Sequence, residues 1–175
     1  MKNLVIGCIL IISGAGISSG CSENEDMLNN RDEFFTAKVN GNTYAVNSFD
    51  IIECKKHVTD FGAINLAVSI KTESGKNMDF LILNYRGPNI YLNGGPDYLT
   101  DSARLNGIRM AYSETNPHGI WSTMRNEIVS NTSYLDITSD NGNLLTGTFS
   151  FDAQDQIGTS IRSISEGNFS IYIDR

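Results

Sequence analysis

The residues best suited to covalent chemistry are a cysteine and a histidine three positions apart. A cysteine acts as a nucleophile when a nearby base keeps it as the thiolate, and His57 follows Cys54 closely in the sequence. On an extended strand, however, residues three apart point to opposite faces, so these two side chains would not meet. Within the run Ile51–Cys54 we therefore interpret the cysteine as a small buried hydrophobic residue.

Two pairs of acidic residues are the candidates for acid–base chemistry. Glycoside hydrolysis needs two carboxyl groups that face each other across a cleft. Asp152 with Asp155, or Glu114 with Glu127, are the pairs that the sequence offers. Nothing in the sequence fixes the distance within either pair, so we assign no catalytic residue and predict a protein that is not an enzyme.

Metal ligands are sparse. His57 and His118 are far apart in the sequence and have no cysteine pair beside them, so we predict no transition-metal site. Asp140, Asn141 and Asn143 offer oxygen atoms that a Ca²⁺ ion could use. A hairpin turn requires the same residues for backbone reasons, and no metal or other cofactor is predicted.

An aromatic region over residues 85–126 is the strongest candidate for binding. Exposed rings beside Asn side chains can stack on sugar rings while the amides bond hydroxyl groups, and Trp and Tyr also dominate protein interfaces. We expect at least half of the six rings in this region to belong to the core. The candidate binding residues are Trp121, Tyr91, Tyr98 and Tyr112; Tyr85 and His118 complete the six.

The leader is the clearest feature of the sequence. Met1-Lys2-Asn3 precedes the apolar run Leu4–Ile12 and a small-residue exit, which is the pattern of a secretory signal peptide over residues 1–20. The run is too short to span a bilayer, which needs about 18 apolar residues.

The end of the leader, Ser18-Ser19-Gly20-Cys21, resembles the lipobox of bacterial lipoproteins, although Ser18 replaces the usual leucine. The resemblance implies lipidation of Cys21 with acyl chains such as palmitate, and several chains anchor a protein stably. Cleavage by an ordinary signal peptidase, leaving a free Cys21, is the alternative.

Residues 21–32 follow as an acidic, lipid-anchored tether that cannot bury enough apolar surface to fold. The tract Ser22–Asp26 resembles the surface-export signal of Bacteroidota lipoproteins, which implies an outer-membrane protein that faces the cell surface. Asp101-Ser102-Ala103 resembles the O-glycosylation acceptor motif of exported Bacteroidota proteins, which makes Ser102 a candidate modification site.

Charge excludes one class of partner. The 175-residue chain has a formal net charge of −7, and removal of Lys2 with the leader makes it more negative. Lys55-Lys56 is the one adjacent basic pair in the sequence. A phosphate backbone would repel such a chain, so nucleic acid is not an expected partner.

The elements that must position these residues are short strands. Apolar residues alternate with a period of two almost throughout residues 33–175. Asn40-Gly41 predicts a turn because both residues tolerate positive φ, and Asn141-Gly142 is the pair expected in a type I′ hairpin turn. Met78–Leu83 is apolar at both parities, which predicts a strand buried on two faces. Cys54 alone remains in this domain, so no internal disulfide can form. We predict a single all-β domain, an antiparallel β-sandwich of about nine strands.

Both ends of the domain carry characteristic strand and turn segments: Phe34–Gly41 with Tyr44 at the start, and Leu135–Gly142, Leu145–Phe151 and Ile164–Phe169 at the end. These segments resemble those of small Bacteroidota lipoproteins of unknown function. The resemblance implies a lipoprotein with a β-sandwich and supplies no activity or catalytic residue.

Three hypotheses follow. The first is a non-enzymatic envelope lipoprotein that is held at the membrane by its lipid and binds a glycan or an envelope protein. The second is a structural component of a surface assembly that makes its contacts through a sheet edge. The third, least favoured, is a hydrolase.

Overall fold

The alternating residues form eleven β-strands in the computed structural model, which describes residues 33–93, 107–123 and 133–174. All of these residues lie within the compact unit Asp32–Arg175. The prediction of an all-β, antiparallel fold is confirmed, with two strands more than expected. In chain order the strands are β1 Phe34–Val39, β2 Asn42–Ala45, β3 Ile51–Val58, β4 Ile64–Lys71, β5 Lys76–Ile82, β6 Asn89–Leu92, β7 Ile108–Thr115, β8 His118–Ser122, β9 Tyr134–Asp140, β10 Leu144–Asp155 and β11 Ile161–Tyr172.

The strands belong to one hydrogen-bonded sheet that curls into a half-barrel. The main path runs β2-β1-β11-β10-β8-β7-β5-β4-β3, while β9 pairs with β10 and β6 with β9. Every pairing between these strands is antiparallel. Because the sheet curls, its two halves face each other across the core as the two layers of a sandwich do.

The core consists of inward side chains from both halves. The ring of Phe35 on β1 lies 5.8 Å from that of Phe80 on β5 and 5.0 Å from that of Phe149 on β10. All three side chains are buried. The contact between Phe35 and Phe80 joins strands that are five positions apart along the sheet path, so the curled sheet closes around a continuous apolar interior.

One predicted strand is buried on a single face. In β5, Met78, Phe80 and Ile82 are buried, but Asp79 is exposed and Leu81 is half-buried. The expectation that Met78–Leu83 is covered on both sides is therefore wrong. The other face of β5 points away from the core, because the sheet curls around the face that carries Met78, Phe80 and Ile82.

The two predicted hairpin turns have different outcomes. Asn40 and Gly41 both have positive φ, 48° and 80°, as a type I′ turn requires. In the β9–β10 hairpin only Gly142 has positive φ, at 87°. The side chain of Asn141 instead accepts hydrogen bonds from the backbone N–H groups of Asn143 and Leu144. The hairpin was predicted correctly, but its turn is a three-residue loop.

The end of β11 meets β3, the last strand of the sheet path. The Asp174 N–H donates to the Cys54 carbonyl oxygen at 2.7 Å, and the Cys54 N–H donates to the Asp174 carboxylate at 3.3 Å. Six antiparallel pairings separate β3 from β11 along the path. An even number of reversals gives two strands the same direction, so β3 and β11 run in parallel past each other.

Candidate functional site

The sequence-predicted binding residues do not form an exposed surface. Trp121 on β8 and Tyr112 on β7 are 6% and 1% exposed, so their prediction as surface binding residues is wrong. The two residues are directly paired across the strands and point into the core. The Trp121 Nε1–H donates to Ser160 Oγ at 2.7 Å, and the Tyr112 hydroxyl donates to Glu114 at 2.9 Å. Their polar atoms are thus satisfied within the fold.

Tyr91 has a structural role as well. It is half-buried, and its ring stacks on that of Tyr85 with centroids 5.8 Å apart. Its hydroxyl donates to the Gly87 carbonyl at 2.7 Å and accepts from the Arg86 N–H at 3.0 Å. The ring therefore holds the loop between β5 and β6.

The expectation that at least half of the six rings are core is confirmed, because Tyr85, Tyr112 and Trp121 are buried. Tyr98, the glycosylation candidate Ser102 and the lipidation candidate Cys21 lie outside the described residues.

Cys54 is a core residue. Its side chain is buried, and burial together with the nearby Asp174 carboxylate raises the pKa of its thiol to about 12. A thiol with that pKa stays protonated at neutral pH and is a poor nucleophile. His57 is exposed, on the opposite face of β3, as the spacing predicted.

Two of the acidic candidates, Asp155 and Glu114, are engaged in local structure. Asp155 accepts hydrogen bonds from the Thr159 N–H, the Thr159 hydroxyl and the Ser160 hydroxyl, all at 2.8–2.9 Å. Desolvation raises the pKa of Asp155, but these hydrogen bonds outweigh it and lower the pKa to about 2. A general acid needs the opposite shift. Glu114 accepts from Tyr112 and lies 3.6 Å from Arg162, while Glu127 lies outside the described residues.

The carboxylate of Asp140, one of the candidate calcium ligands, is bonded to other protein groups. Asp140 accepts hydrogen bonds from Lys56 and Tyr85, each at 2.7 Å. Within the three described segments, no group of three or more His, Cys, Asp or Glu side chains could hold a metal ion.

The clearest candidate site is the tip of the β3–β4 hairpin. Phe61 is 97% exposed at this tip, and Val58 and Ile64, which are directly paired below it, are also exposed. We call these three residues the apolar tip. Single exposed apolar residues are common, but a group of them on one turn is characteristic of an interaction surface.

The turn that carries Phe61 is well ordered by hydrogen bonds. The Thr59 N–H donates to the Ala63 carbonyl at 2.8 Å and the Gly62 N–H to the Thr59 carbonyl at 2.9 Å. The Thr59 hydroxyl accepts from the Ala63 N–H at 3.1 Å. Gly62 has a φ of 77°, which favours glycine. The ring is therefore displayed on a rigid support.

A mainly apolar cavity of about 590 Å³ lies beside the apolar tip. A smaller cavity of about 280 Å³ shares Leu83 and Asn84 with it and extends to the exposed residues Ile90 and Leu92 of β6. The two cavities therefore adjoin at Leu83 and Asn84. The mainly apolar walls of the larger cavity can accept apolar groups. The larger cavity is lined by His57, Thr59, Asp60, Phe61, Ala63, Asn65, Leu83 and Asn84.

The apolar tip was missed by the sequence analysis, which searched for binding residues among the aromatic side chains of residues 85–126. The available signal was Thr59-Asp60-Phe61-Gly62, where a large aromatic residue stands inside a turn sequence. A turn lies at the surface, so a large side chain within it has little core to pack against.

No described helix is long and apolar enough to cross a membrane. Comparisons with protein-family models, with curated proteins and with solved structures give no match to this chain.

Proposed function

We propose that this protein is an exported lipoprotein, anchored in the outer membrane through Cys21, whose β-domain is a non-enzymatic binding module. The leader and the lipobox-like sequence before Cys21 support the export and the anchor. The groups considered for catalysis are used by the fold: Cys54 is a buried, protonated thiol, and Asp155 holds a turn.

The observation that carries the binding function is the display of Phe61 on a hydrogen-bonded turn. Leaving a large ring in water forgoes about 2–3 kcal/mol of burial free energy, which a partner recovers on contact. The larger cavity beside the tip exposes mainly apolar surface. The tip and this cavity together therefore favour an apolar partner surface over a glycan, whose hydroxyl groups need polar partners.

The β3 edge of the sheet supports the structural alternative less well. β3 ends the hydrogen-bonded path and is therefore an edge strand. The backbone of Cys54 on this edge is already bonded to Asp174, and the exposed Lys55 opposes the addition of another strand.

The test is site-specific photo-crosslinking in intact cells. A photoreactive amino acid replaces Phe61 in the full-length chain, and a matched variant carries it at Ile157, which is 81% exposed in the β10–β11 turn. We expect crosslinked products from position 61 that are absent from position 157. Equal products from both positions would refute the assigned surface, and a mature protein that takes up no labelled palmitate would refute the anchor.

A further inference from the structure

We infer that the partner of the apolar tip is the lipid bilayer that carries the anchor, with Val58, Phe61 and Ile64 in the boundary between headgroups and acyl chains. This inference rests on the proposed lipidation of Cys21. It assigns to the same surface a defined partner and gives the domain a defined orientation on the membrane.

The first argument is where the chain enters the domain. The Glu33 carboxylate accepts a hydrogen bond from the Tyr172 N–H at 2.8 Å, and Phe34 pairs with Ser170. The chain thus enters beside the end of β11. The N-terminal side of the domain and the end of β11 therefore lie at one end of the sheet.

The second argument is the direction of β3. This strand runs parallel to β11 and is bonded to Asp174 at Cys54. It then continues in the same direction for four residues to Val58 before its turn. The apolar tip consequently projects from the end of the sheet at which the chain enters, beyond the level of Asp174.

The third argument is the length of chain between the proposed anchor and the domain. Eleven residues separate Cys21 from Glu33, and these reach at most about 40 Å when fully extended. A domain of this size has a diameter of about 35–40 Å. The tether is therefore too short to turn the far end of the domain towards the bilayer without lying along its whole side. The end that carries the apolar tip faces the lipid.

The chemistry of the tip fits an interfacial position. Residues that bury themselves at the boundary between headgroups and acyl chains are apolar, with phenylalanine prominent among them. Lipid penalises backbone groups that lack hydrogen-bond partners. In this turn the N–H groups of Thr59, Gly62 and Ala63 have partners inside the hairpin. Those of Asp60 and Phe61 have no partner in the described part of the chain, so the backbone of the tip stays at the hydrated headgroup level. Asp60 precedes Phe61, so its carboxylate would stay at the headgroup level and limit insertion to the side chains.

The test uses the full-length lipidated protein in vesicles of phosphatidylethanolamine and phosphatidylglycerol, with or without doxyl-labelled acyl chains. Tryptophan replaces the exposed apolar residue at each end of the domain, in the variants Phe61→Trp and Ile157→Trp. The native Trp121 is buried and its emission is subtracted using the wild type. We expect the emission of Phe61→Trp to shift to the blue and to be quenched by doxyl groups near the headgroups. The emission that Ile157→Trp adds should stay at the wavelength of a tryptophan in water and should not be quenched.

Flotation of the same vesicles separates the two proposals. Wild-type protein that fails to float with the vesicles overturns the lipid anchor. Protein that floats while Phe61→Trp is unquenched, or quenched no more than Ile157→Trp, overturns the bilayer contact and leaves the anchor standing. Crosslinks from position 61 to an envelope protein, without lipid products, would also overturn the bilayer contact.

Discussion

Lys56 Nζ lies 2.7 Å from a carboxylate oxygen of Asp140, and this ion pair joins two strands that share no backbone hydrogen bonds. Lys56 belongs to the edge strand β3, while Asp140 ends β9. The Tyr85 hydroxyl donates to the same oxygen at 2.7 Å. The Asp140 side chain is only 8% exposed. The pair therefore fixes β3 against the β9–β10 turn on the side where the sheet curls closed.

Replacement of Asp140 by asparagine should destabilise the domain. The change removes the charge that Lys56 and Tyr85 bond to, and loss of hydrogen bonds to a charged group typically lowers the free energy of unfolding by about 1–3 kcal/mol. Urea denaturation at neutral pH measures the effect. Asp60→Asn, at an exposed turn position, is the matched control and should be neutral. Equal stability of the two variants would show that the pair contributes nothing.

The effect of Asp140→Asn should also depend on pH. Partial burial raises the pKa of Asp140, but hydrogen bonds from Lys56, Tyr85 and the Gly142 N–H outweigh it and lower the pKa overall. A carboxyl group with a lowered folded pKa adds stability above its unfolded pKa of about 3.9. That stability is lost as the pH falls through the folded pKa. The stability difference between wild type and Asp140→Asn should therefore shrink below about pH 4.

Gly119→Ala tests the packing around the single tryptophan. A Cβ atom at position 119 would overlap the Trp121 ring, with Cζ3 only 2.7 Å away. The Arg162 guanidinium carbon lies 4.0 Å from the ring centroid, so the ring has another close neighbour. Overpacking of this kind typically lowers the free energy of unfolding by about 1–3 kcal/mol. The emission spectrum of Trp121 should change at the same time.

Gly41→Ala is the control for the glycine substitution. Gly41 has a φ of 80° and open space around its missing Cβ, so alanine there strains the backbone by roughly 1 kcal/mol without touching the tryptophan. It should lower stability and leave the emission spectrum unchanged. An unchanged spectrum and stability in Gly119→Ala would contradict the described ring position.

Cys54 should be almost inert towards thiol reagents in the folded protein. With a pKa of about 12, its thiolate fraction at pH 8 is about a thousandfold smaller than that of an ordinary thiol. Burial blocks access as well. Titration with a chromogenic disulfide should therefore detect Cys54 only after denaturation.

The same titration reports on Cys21. In a lipidated mature protein the Cys21 sulfur is blocked, so the folded protein should show no reactive thiol and the denatured protein one. Secretion without lipidation would leave Cys21 free. The number of reactive thiols would then be one in the folded protein and two in the denatured protein. Rapid reaction of a folded protein in which both Cys8 and Cys21 are replaced by serine would instead show that Cys54 is accessible.

Sequence periodicity predicted local structure better than it predicted the surface. The alternation in β1 puts Phe35 and Ala37 on one face, because a period of two fixes the faces of a strand, and that face is the buried one. The inward position of Trp121 depends on its pairing with Tyr112 in β7, a register that the short segment does not reveal. The exposure of Phe61 depends on how far the β3–β4 hairpin extends beyond its neighbours. Both features arise from the arrangement of strands in the curled sheet.

The apolar tip should contribute to binding and almost nothing to folding. Phe61 is nearly fully exposed, so Phe61→Ser removes little buried surface and should change the free energy of unfolding by less than about 0.5 kcal/mol. Phe80→Ser is the contrasting variant, because Phe80 is buried against Phe149. Its loss should cost about 3–5 kcal/mol, the range for truncation of a core aromatic residue. Urea denaturation of both variants gives the comparison. A large loss of stability in Phe61→Ser would mean that the ring packs within the domain and is not available to a partner.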